Sequence, residues 1–230
     1  MTSPSAPQPT AQTECSQPPA ARTFPVHHHP TSSAPDPQLR LETLLVRSGT
    51  GTDPATGAIT TPIHLSTAYG HPGLGESTGY DYTRTASPTR DVLQDALARL
   101  EGGTAAFALS SGMAALELVT RTLAPHGSRI VALRDLYGGS FRFLEVLAEE
   151  GAARVDFVLG LEGLRGALAD PADLVIIETP TNPMMEEISI PEAAELAHAA
   201  GAKLVVDNTF YTPVVQRPLE LGADAVVYSA

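Results

Sequence analysis

The chain contains one lysine, Lys203, and one cysteine, Cys15, among its 230 residues. A single cysteine excludes an internal disulfide framework. Basic residues are also few, 14 against 26 acidic ones, and the net charge of −12 leaves no electrostatic footprint for nucleic acid or an anionic membrane. No apolar run approaches the ~20 residues of a membrane span, and the N-terminus lacks the layout of a signal peptide. The sequence therefore predicts a cytoplasmic protein with no nucleic-acid or membrane partner.

Residues 1–38 differ in composition from the rest of the chain. They hold nine of the twenty prolines and many Ser, Thr, Gln and Ala residues. Such a segment cannot bury enough apolar surface to offset chain entropy, so it is predicted to be a disordered tail. The run His27-His28-His29 lies inside it. Three adjacent histidines either bind a metal ion or belong to an unstructured polar tract, and the composition favours the tract.

Two further regions follow the tail. Residues 39–86 begin with a short stretch of helical apolar spacing and continue as a segment rich in Gly, Thr, Pro and Tyr without periodicity. This pattern predicts a helix and an extended arm that lies on another surface. Residues 87–230 are predicted to form a large domain, left incomplete because the chain ends just after an apolar strand.

Short β-branched segments alternate with amphipathic segments from residue 87 onward. This alternation predicts an α/β domain with a mostly parallel sheet covered on both faces. The predicted helices are 89–100, 112–123, 140–150 and 191–200, and the predicted strands are 105–109, 129–133, 155–159, 174–177, 204–206 and 225–228.

Ligands of such sheets bind outside the carboxyl ends of the strands, so the residues that follow each strand are the candidates for chemistry. Ser111-Gly112-Met113 opens a predicted helix, whose free N–H groups and dipole form an anion site that Gly112 leaves open. The alternative is an ordinary serine N-cap.

Four further residues follow the predicted strands. Tyr137 either stacks on a flat ligand or packs on the surface, and Asn182 is held at the sheet edge by two X-Pro turns. Asp207 either caps the next turn or holds a protonated ring nitrogen, and Ser229 follows the last strand. A phosphate cradle, an aromatic ring, an amide and an acid at one edge fit pyridoxal 5′-phosphate, because the acid keeps the ring protonated as an electron sink.

The same motifs resemble the Cys/Met-metabolism pyridoxal-phosphate enzymes over about residues 39–230. The segments that carry the resemblance are Tyr80–Arg84, Ser87–Arg90, Ser111–Ala115, Glu178–Pro183 and Val206–Phe210. Two more, Gly75–Arg84 and Tyr211–Glu220, look closest to bacterial cystathionine γ-synthase/O-acetylhomoserine thiol-lyase. The resemblance implies the large domain of the type I aminotransferase-like fold, truncated before its C-terminal domain.

The resemblance also implies a role for each candidate residue. Gly112, Met113 and Ser229 would contact the phosphate, and Ser111 and Thr209 would also bind the cofactor. Tyr137 would stack on the ring and assist proton transfer, Asn182 would contact the ring hydroxyl, and Asp207 the ring nitrogen. Tyr82 and Arg84 would reach the phosphate in a neighbouring subunit, which makes the active unit a homodimer or homotetramer.

This sequence departs from the family pattern at three places. Ser87 stands where Asn is usual, and His64 where Tyr is common. The family continues Ser-Ala-Thr-Lys, so the lysine that binds the cofactor covalently is expected two residues past Ala230. Lys203 is not expected to replace it, because four strand residues, roughly 13 Å, separate it from Asp207.

The implied reaction is γ-replacement on an O-acyl-homoserine by cysteine or sulfide, in transsulfuration and methionine biosynthesis. A cystathionine or methionine lyase of the same family is the alternative, and a catalytically inert fragment is the alternative of another class. A nicotinamide enzyme is excluded because no G-x-G-x-x-G joins a strand to a helix, and G-x-S-x-G of a serine hydrolase is absent.

Overall fold

The computed structural model describes residues 39–51, 53 and 55–230. The predicted tail, with Cys15 and the histidine run, lies outside the described residues. The described chain forms seven α-helices, one 3-10 helix and five strands. The helices are α1 (Leu41–Arg47), α2 (Pro88–Glu101), α3 (Gly112–Leu123), α4 (Gly138–Glu149), α5 (Gly160–Ala167), α6 (Ile190–Ala199) and α7 (Thr212–Val215), with the 3-10 helix at Pro218–Leu221. The strands are β1 (Ser128–Leu133), β2 (Ala153–Val158), β3 (Leu174–Glu178), β4 (Lys203–Asp207) and β5 (Ala225–Val227).

The strands pair in the order β2-β1-β3-β4-β5, and every pair is parallel. All five residues of β3 are buried, and so are the three central residues of β4. Continuous apolar burial is what a parallel sheet requires when helices cover both of its faces. The predicted α/β architecture with a mostly parallel sheet is therefore confirmed.

Helices cover the two faces because of the direction of the crossovers. The chain moves outward from β1 to β2 and then back past β1 to β3, so right-handed connections place α4 and α5 on opposite faces. Helix α6 packs beside α5, and α3 packs beside α4. The predicted helices at 89–100, 112–123, 140–150 and 191–200 correspond to α2, α3, α4 and α6.

The predicted strand at 105–109 is wrong. This segment is extended but pairs with no strand in the part of the chain that the structure describes. The N–H of Ala108 donates instead to the side-chain oxygen of Gln94 at 3.0 Å, and Phe107 is 68% exposed. A short apolar run is consistent with a strand, but a strand also requires a partner for its backbone.

Helix α5 was not predicted from the sequence. Three glycines, Gly160, Gly163 and Gly166, weaken its helical pattern. The helix forms because Leu164 is fully buried among the residues of the core.

The described residues between 48 and 86 have little regular structure. Two isolated antiparallel bridges, Thr50 with Thr60 and Ala68 with Tyr82, hold this segment together. Large apolar side chains stand in solvent along it, and Leu65 is 90% exposed. We call residues 48–86 the arm. Within the described ranges, no helix combines the length and the apolar character that a membrane span needs.

Candidate functional site

The carboxyl ends of the five parallel strands share one edge of the sheet. At this edge lie the residues that follow β1, β3, β4 and β5, and the start of α3 lies against the end of β5. Four residues that are far apart in sequence, Tyr137, Asn182, Asp207 and Ser229, are therefore placed on one side of the fold.

Gly112 and Ser229 lie directly against each other. A Cβ on Gly112 would stand 2.6 Å from the Cβ of Ser229 and 2.9 Å from its hydroxyl oxygen. Ser111 is the N-cap of α3, and its Oγ accepts the N–H of Ala114 at 3.1 Å. The N-cap interpretation of Ser111 is thus correct, and the cap also holds the helix start beside Ser229. Only glycine fits between them.

Asp207 and Ser229 are joined through Thr209. Oδ1 of Asp207 accepts the Thr209 N–H at 3.0 Å and the Thr209 hydroxyl at 2.5 Å. The same hydroxyl oxygen accepts the N–H of Ser229 at 3.0 Å. Burial raises the pKa of Asp207, while the two hydrogen bonds from Thr209 oppose that rise. Asp207 therefore caps the turn after β4, and the turn connects the acid to the predicted phosphate contact.

The ring of Tyr137 lies over Gly139 beside Met113. A Cβ on Gly139 would meet the Tyr137 Cε1 at 2.5 Å and the Met113 sulfur at 2.9 Å. Tyr137 is 47% exposed, so it packs beside Gly139 and Met113 but stays partly open to solvent. The structure thus brings Met113 and Tyr137 together, as a ring-stacking site next to the start of α3 requires.

Glu178 has no predicted role, although it lies in a recognised motif. It is the last residue of β3 and is buried, and its Oε2 accepts the backbone N–H of Tyr137 at 2.6 Å. Burial raises the pKa of Glu178 to about 7, and the charge of Asp207 adds to the rise, while the Tyr137 N–H lowers it. An acid that closes a fully apolar strand was the sequence signal that could have revealed it.

Asn182 lies in the loop that follows β3, between two cis peptide bonds, Thr179-Pro180 and Asn182-Pro183. The loop is anchored by Thr181, whose hydroxyl donates to Asp135 at 2.7 Å. Asn182 itself is half-buried.

Tyr82 and Arg84 lie in the arm. The guanidinium of Arg84 stands 5.2 Å from the centre of the Tyr82 ring. The other contacts described for Tyr82 are the bridge to Ala68 and the carbonyl that accepts from Thr85 and Ala86. The structure therefore places these two residues with each other and describes no contact between them and the sheet edge.

Lys203 begins β4, at the end of the strand opposite Asp207. Its Nζ donates to Asp224 at 2.8 Å, and the same carboxylate also binds His198. Lys203 is thus held at the far edge of the sheet, as the sequence predicted.

A buried polar network lies beneath the site and escaped sequence analysis. Asn208 is fully buried, and its amide donates to the Tyr228 hydroxyl and to the Gln216 carbonyl, both at 2.8 Å. Tyr228 in turn donates to Glu101 at the end of α2. Gln216 donates to the Thr179 carbonyl at 3.1 Å. The network fixes the residues adjacent to Asp207, Glu178 and Ser229.

The donor set at this edge fits a flat ring that carries a phosphate and a basic nitrogen. The cradle that a Cβ on Gly112 would fill is bounded by a helix start and a serine, which suit an anion. A buried acid lies one hydrogen-bonded residue away, and an open tyrosine ring lies across the helix start. The fit to pyridoxal phosphate is therefore supported by geometry as well as by sequence.

Comparison with known proteins gives a family and a fold. A model of the family described as "Cys/Met metabolism PLP-dependent enzyme" matches residues 42–230. The cystathionine gamma-synthase of Haemophilus influenzae is 45% identical over 195 residues, covering 84% of this chain and 53% of that protein. The cystathionine gamma-synthase/O-acetylhomoserine (thiol)-lyase of Bacillus subtilis is also 45% identical, over 83% of this chain and 51% of its own length.

Other relatives and a solved structure extend the comparison. Proteins described as cystathionine beta-lyase, from Lactococcus lactis, and cystathionine gamma-lyase, from Bacillus subtilis, are each 39% identical. The crystal structure of cystathionine gamma synthase from Xanthomonas oryzae pv. oryzae, with aminoacrylate and cysteine, matches at a TM-score of 0.79 and 41% identity. It is matched over 83% of this chain and 50% of its own. The chain spans about half the length of the curated relatives it matches.

Proposed function

This chain belongs to the Cys/Met metabolism PLP-dependent enzymes, and we propose that its protein replaces the γ-substituent of an O-acyl-homoserine with a sulfur nucleophile. The family's cofactor is pyridoxal phosphate. The observation that carries the proposal is the contact of Gly112 with Ser229 at the start of α3, joined by hydrogen bonds to the buried acid Asp207.

The start of α3 supplies the phosphate contacts. Ser111 orders the first turn by capping Ala114, so the N–H groups of Gly112 and Met113 face the sheet edge at the positive end of the helix dipole. Ser229 stands against Gly112 and adds a hydroxyl, and Thr209 fixes the Ser229 backbone. These residues anchor the cofactor's anionic end.

Three side chains would act on the ring. Asp207 would hold a proton on the ring nitrogen, and burial strengthens that ion pair because little solvent screens it. Tyr137 would cover one ring face and, with its hydroxyl, move a proton to or from the substrate. Asn182 would donate to the ring hydroxyl. When bound, pyridoxal phosphate acts as an electron sink that stabilises carbanions next to the substrate amine.

A measurement of products separates the synthase from the lyases. The protein, expressed at the full length its gene encodes, is given O-acetyl-homoserine and cysteine, and both products are measured. A synthase is expected to form cystathionine and acetate in equal amounts. Cystathionine supplied alone tests the lyase alternative, which releases a thiol, ammonia and an oxo acid. Cleavage of cystathionine without any synthesis would replace the synthase by a lyase.

We further propose that the active unit is a homo-oligomer. Tyr82 and Arg84 lie in an arm that exposes Ile63, Leu65 and Leu74 to solvent. A segment with so little packing of its own gains stability by covering its apolar side chains against another surface. A second copy of the chain would do so and would receive Tyr82 and Arg84 in its phosphate site.

The position of Lys203 favours a separate proposal for the 230-residue polypeptide. Its only lysine is paired with Asp224 at the edge opposite the site, so this length of chain places no lysine where it could bind the cofactor covalently. We propose that the 230-residue polypeptide by itself is catalytically inert.

A further inference from the structure

The carboxylate of Glu178 lies between three residues to which the proposed function gives roles. It accepts the Tyr137 N–H at 2.6 Å, and the backbone of Asn182 also donates toward it. In the parallel pairing of β3 with β4, Glu178 stands opposite Asp207. Paired residues of adjacent strands present their side chains on the same face of the sheet. Glu178 and Asp207 are therefore neighbours on that face.

The hydrogen bond to Tyr137 satisfies a free N–H group at the start of α4. Tyr137 is the N-cap residue of α4, and its own side chain makes no capping hydrogen bond. A carboxylate at a helix start is stabilised by the helix dipole and by the free N–H groups there. Glu178 supplies that carboxylate from β3, so it ties the end of a central strand to the start of α4.

This tie determines where the Tyr137 ring stands. The ring lies over Gly139, and the Tyr137 backbone that carries it has non-helical geometry at the helix start. Oε2 of Glu178 holds that backbone from a residue that is 5% exposed and belongs to the most buried strand. The position of an exposed ring is thus set by a buried carboxylate.

We infer that Glu178 is a positioning residue for the cofactor ring, acting through the Tyr137 backbone on one side and the Asn182 backbone on the other. The inference rests on the proposed function, since Tyr137 and Asn182 have their roles only if pyridoxal phosphate binds here. Glu178 does not touch the reacting atoms. It sets the spacing between the residue over the ring and the residue beside it.

The charges around Glu178 agree with this role. Burial is the main cause of the raised pKa of Glu178, and the charges of Asp207 and Asp135 add to it, while the two backbone donors lower it. The carboxylate is thereby held in place by the same N–H groups that it positions. A side chain placed there only for packing would accept no N–H group at the start of a helix and would not need to be charged.

The test compares Glu178→Ala and Glu178→Gln with a matched control, Asp224→Asn. Asp224 also accepts a backbone N–H, that of Leu204 at 2.8 Å, but at the opposite edge of the sheet. Each variant of the full-length protein is loaded with pyridoxal phosphate. The circular-dichroism band of the bound cofactor, its dissociation constant and the melting temperature are then measured.

The expected result separates position from stability. Glu178→Ala changes the cofactor band and weakens cofactor binding about tenfold, since a charge-assisted hydrogen bond is lost. Glu178→Gln keeps an acceptor oxygen and restores most of both readouts. Asp224→Asn lowers the melting temperature but keeps the wild-type band and affinity.

Two results would overturn the inference. One is a Glu178→Ala variant with the wild-type band and affinity, in a protein that binds the cofactor. If that variant does not fold, Glu178→Asp decides, because it retracts the carboxylate by one methylene, and an unchanged band would refute the positioning role. A wild-type protein that binds no pyridoxal phosphate would instead refute the proposed function itself.

Discussion

At the scale of single residues, the site depends on atoms that are absent as much as on those present. Gly112 and Gly139 both lie where a Cβ would meet another site residue, Ser229 in one case and Tyr137 in the other. These two positions allow close approach, and neither requires an unusual backbone angle. The cradle is therefore shaped by two missing side chains.

Replacing Gly112 by alanine tests the cradle. The new Cβ would stand 2.6 Å from the Ser229 Cβ, so the start of α3 and the end of β5 must separate. We expect a loss of about 1–3 kcal/mol in the free energy of unfolding, as for other overpacked sites, and weaker binding of pyridoxal phosphate. Urea unfolding and cofactor titration measure the two effects.

Gly166→Ala is the control for that substitution. Gly166 lies in α5, where a Cβ would meet nothing within 4 Å, and its backbone angle is ordinary. Alanine there should be neutral or should stabilise by up to ~1 kcal/mol, because it favours the helix. Equal effects of the two alanines would show that Gly112 has no special contact.

The raised pKa of Glu178 predicts a pH dependence of stability. The native state binds this proton more tightly than the unfolded state, whose glutamate has the ordinary value of 4.5, so stability falls as pH rises from about 4.5 to about 7. Glutamine imitates the protonated form and removes this dependence. We expect Glu178→Gln to gain on the order of 2 kcal/mol relative to wild type between pH 5 and pH 8.

Urea unfolding at several pH values between 5 and 8 measures this difference. A constant difference between wild type and Glu178→Gln across that range would contradict the shifted pKa.

At the scale of elements, one side chain fastens α5 and the turn after it to the sheet. Arg129 of β1 binds Asp156 of β2 at 2.7 Å, and its guanidinium also donates to three carbonyls at the end of α5 and beyond. Those carbonyls belong to Ala167, Asp170 and Pro171. A helix weakened by three glycines is thus held at its C-terminal end by a partly buried arginine.

Arg129→Met should destabilise the protein by about 2–4 kcal/mol, because it leaves Asp156 and three carbonyls without their donor. Arg154→Met is the matched control. Arg154 also faces Asp156, at 3.6 Å, but it is 72% exposed, and exposed pairs contribute little. Thermal unfolding measures the stability of both variants. A similar small loss for each would show that Arg129 does not fasten α5.

The elements that sequence could predict are those whose signal is local. Strands β3 and β4 are continuous apolar runs, and α3 has a serine cap and an apolar stripe, so each was found within a few residues. The strand prediction for residues 105–109 was wrong because strand formation depends on a backbone partner that the segment's own residues do not encode. Helix α5 was not predicted, for the converse reason. Burial of Leu164 in the core outweighs the low helix propensity of its glycines.

The site residues also divide into those that sequence could predict and those that it could not. Asp207, Tyr137 and Ser229 follow predicted strands, so the edge they share could be predicted from topology alone. Glu178 and the network of Asn208, Tyr228 and Glu101 could not, because their partners lie 20 to 127 residues away in sequence.

At the scale of the whole molecule, the described chain has two unequal parts. A packed sheet with its helices holds the core, while the arm holds Tyr82 and Arg84 with little packing of its own. Under the proposed homo-oligomer, the arm would contribute most when a second copy covers it.

Arg84→Ala in the full-length protein should weaken cofactor retention, because a charged phosphate contact is lost. Cofactor retention should be restored in mixed oligomers. Subunits that carry Arg84→Ala are mixed with subunits that carry Asp207→Asn, so that one kind of site has an intact arm from its partner and an intact acid. Activity that never rises above that of either variant alone would place Arg84 in its own subunit's site.

Borohydride reduction tests the proposal that the 230-residue polypeptide is catalytically inert. We expect pyridoxal phosphate to bind it weakly and to form no reducible bond, because Lys203 is paired with Asp224 at the far edge. Mass spectrometry after reduction should find no added cofactor, and O-acetyl-homoserine should not be consumed. Cofactor attached to Lys203, together with turnover, would refute the proposal.

The single lysine also gives this polypeptide only one side-chain amine that a dye can label. The side chain of Lys203 is 57% exposed, and it stands across the sheet from the cradle at Gly112 and Ser229. An amine-reactive dye at alkaline pH would therefore attach there and at the N-terminal amine, which acylates selectively nearer neutral pH and can be blocked first. A fluorophore so placed would report ligand binding through the length of β4 without touching the residues that bind.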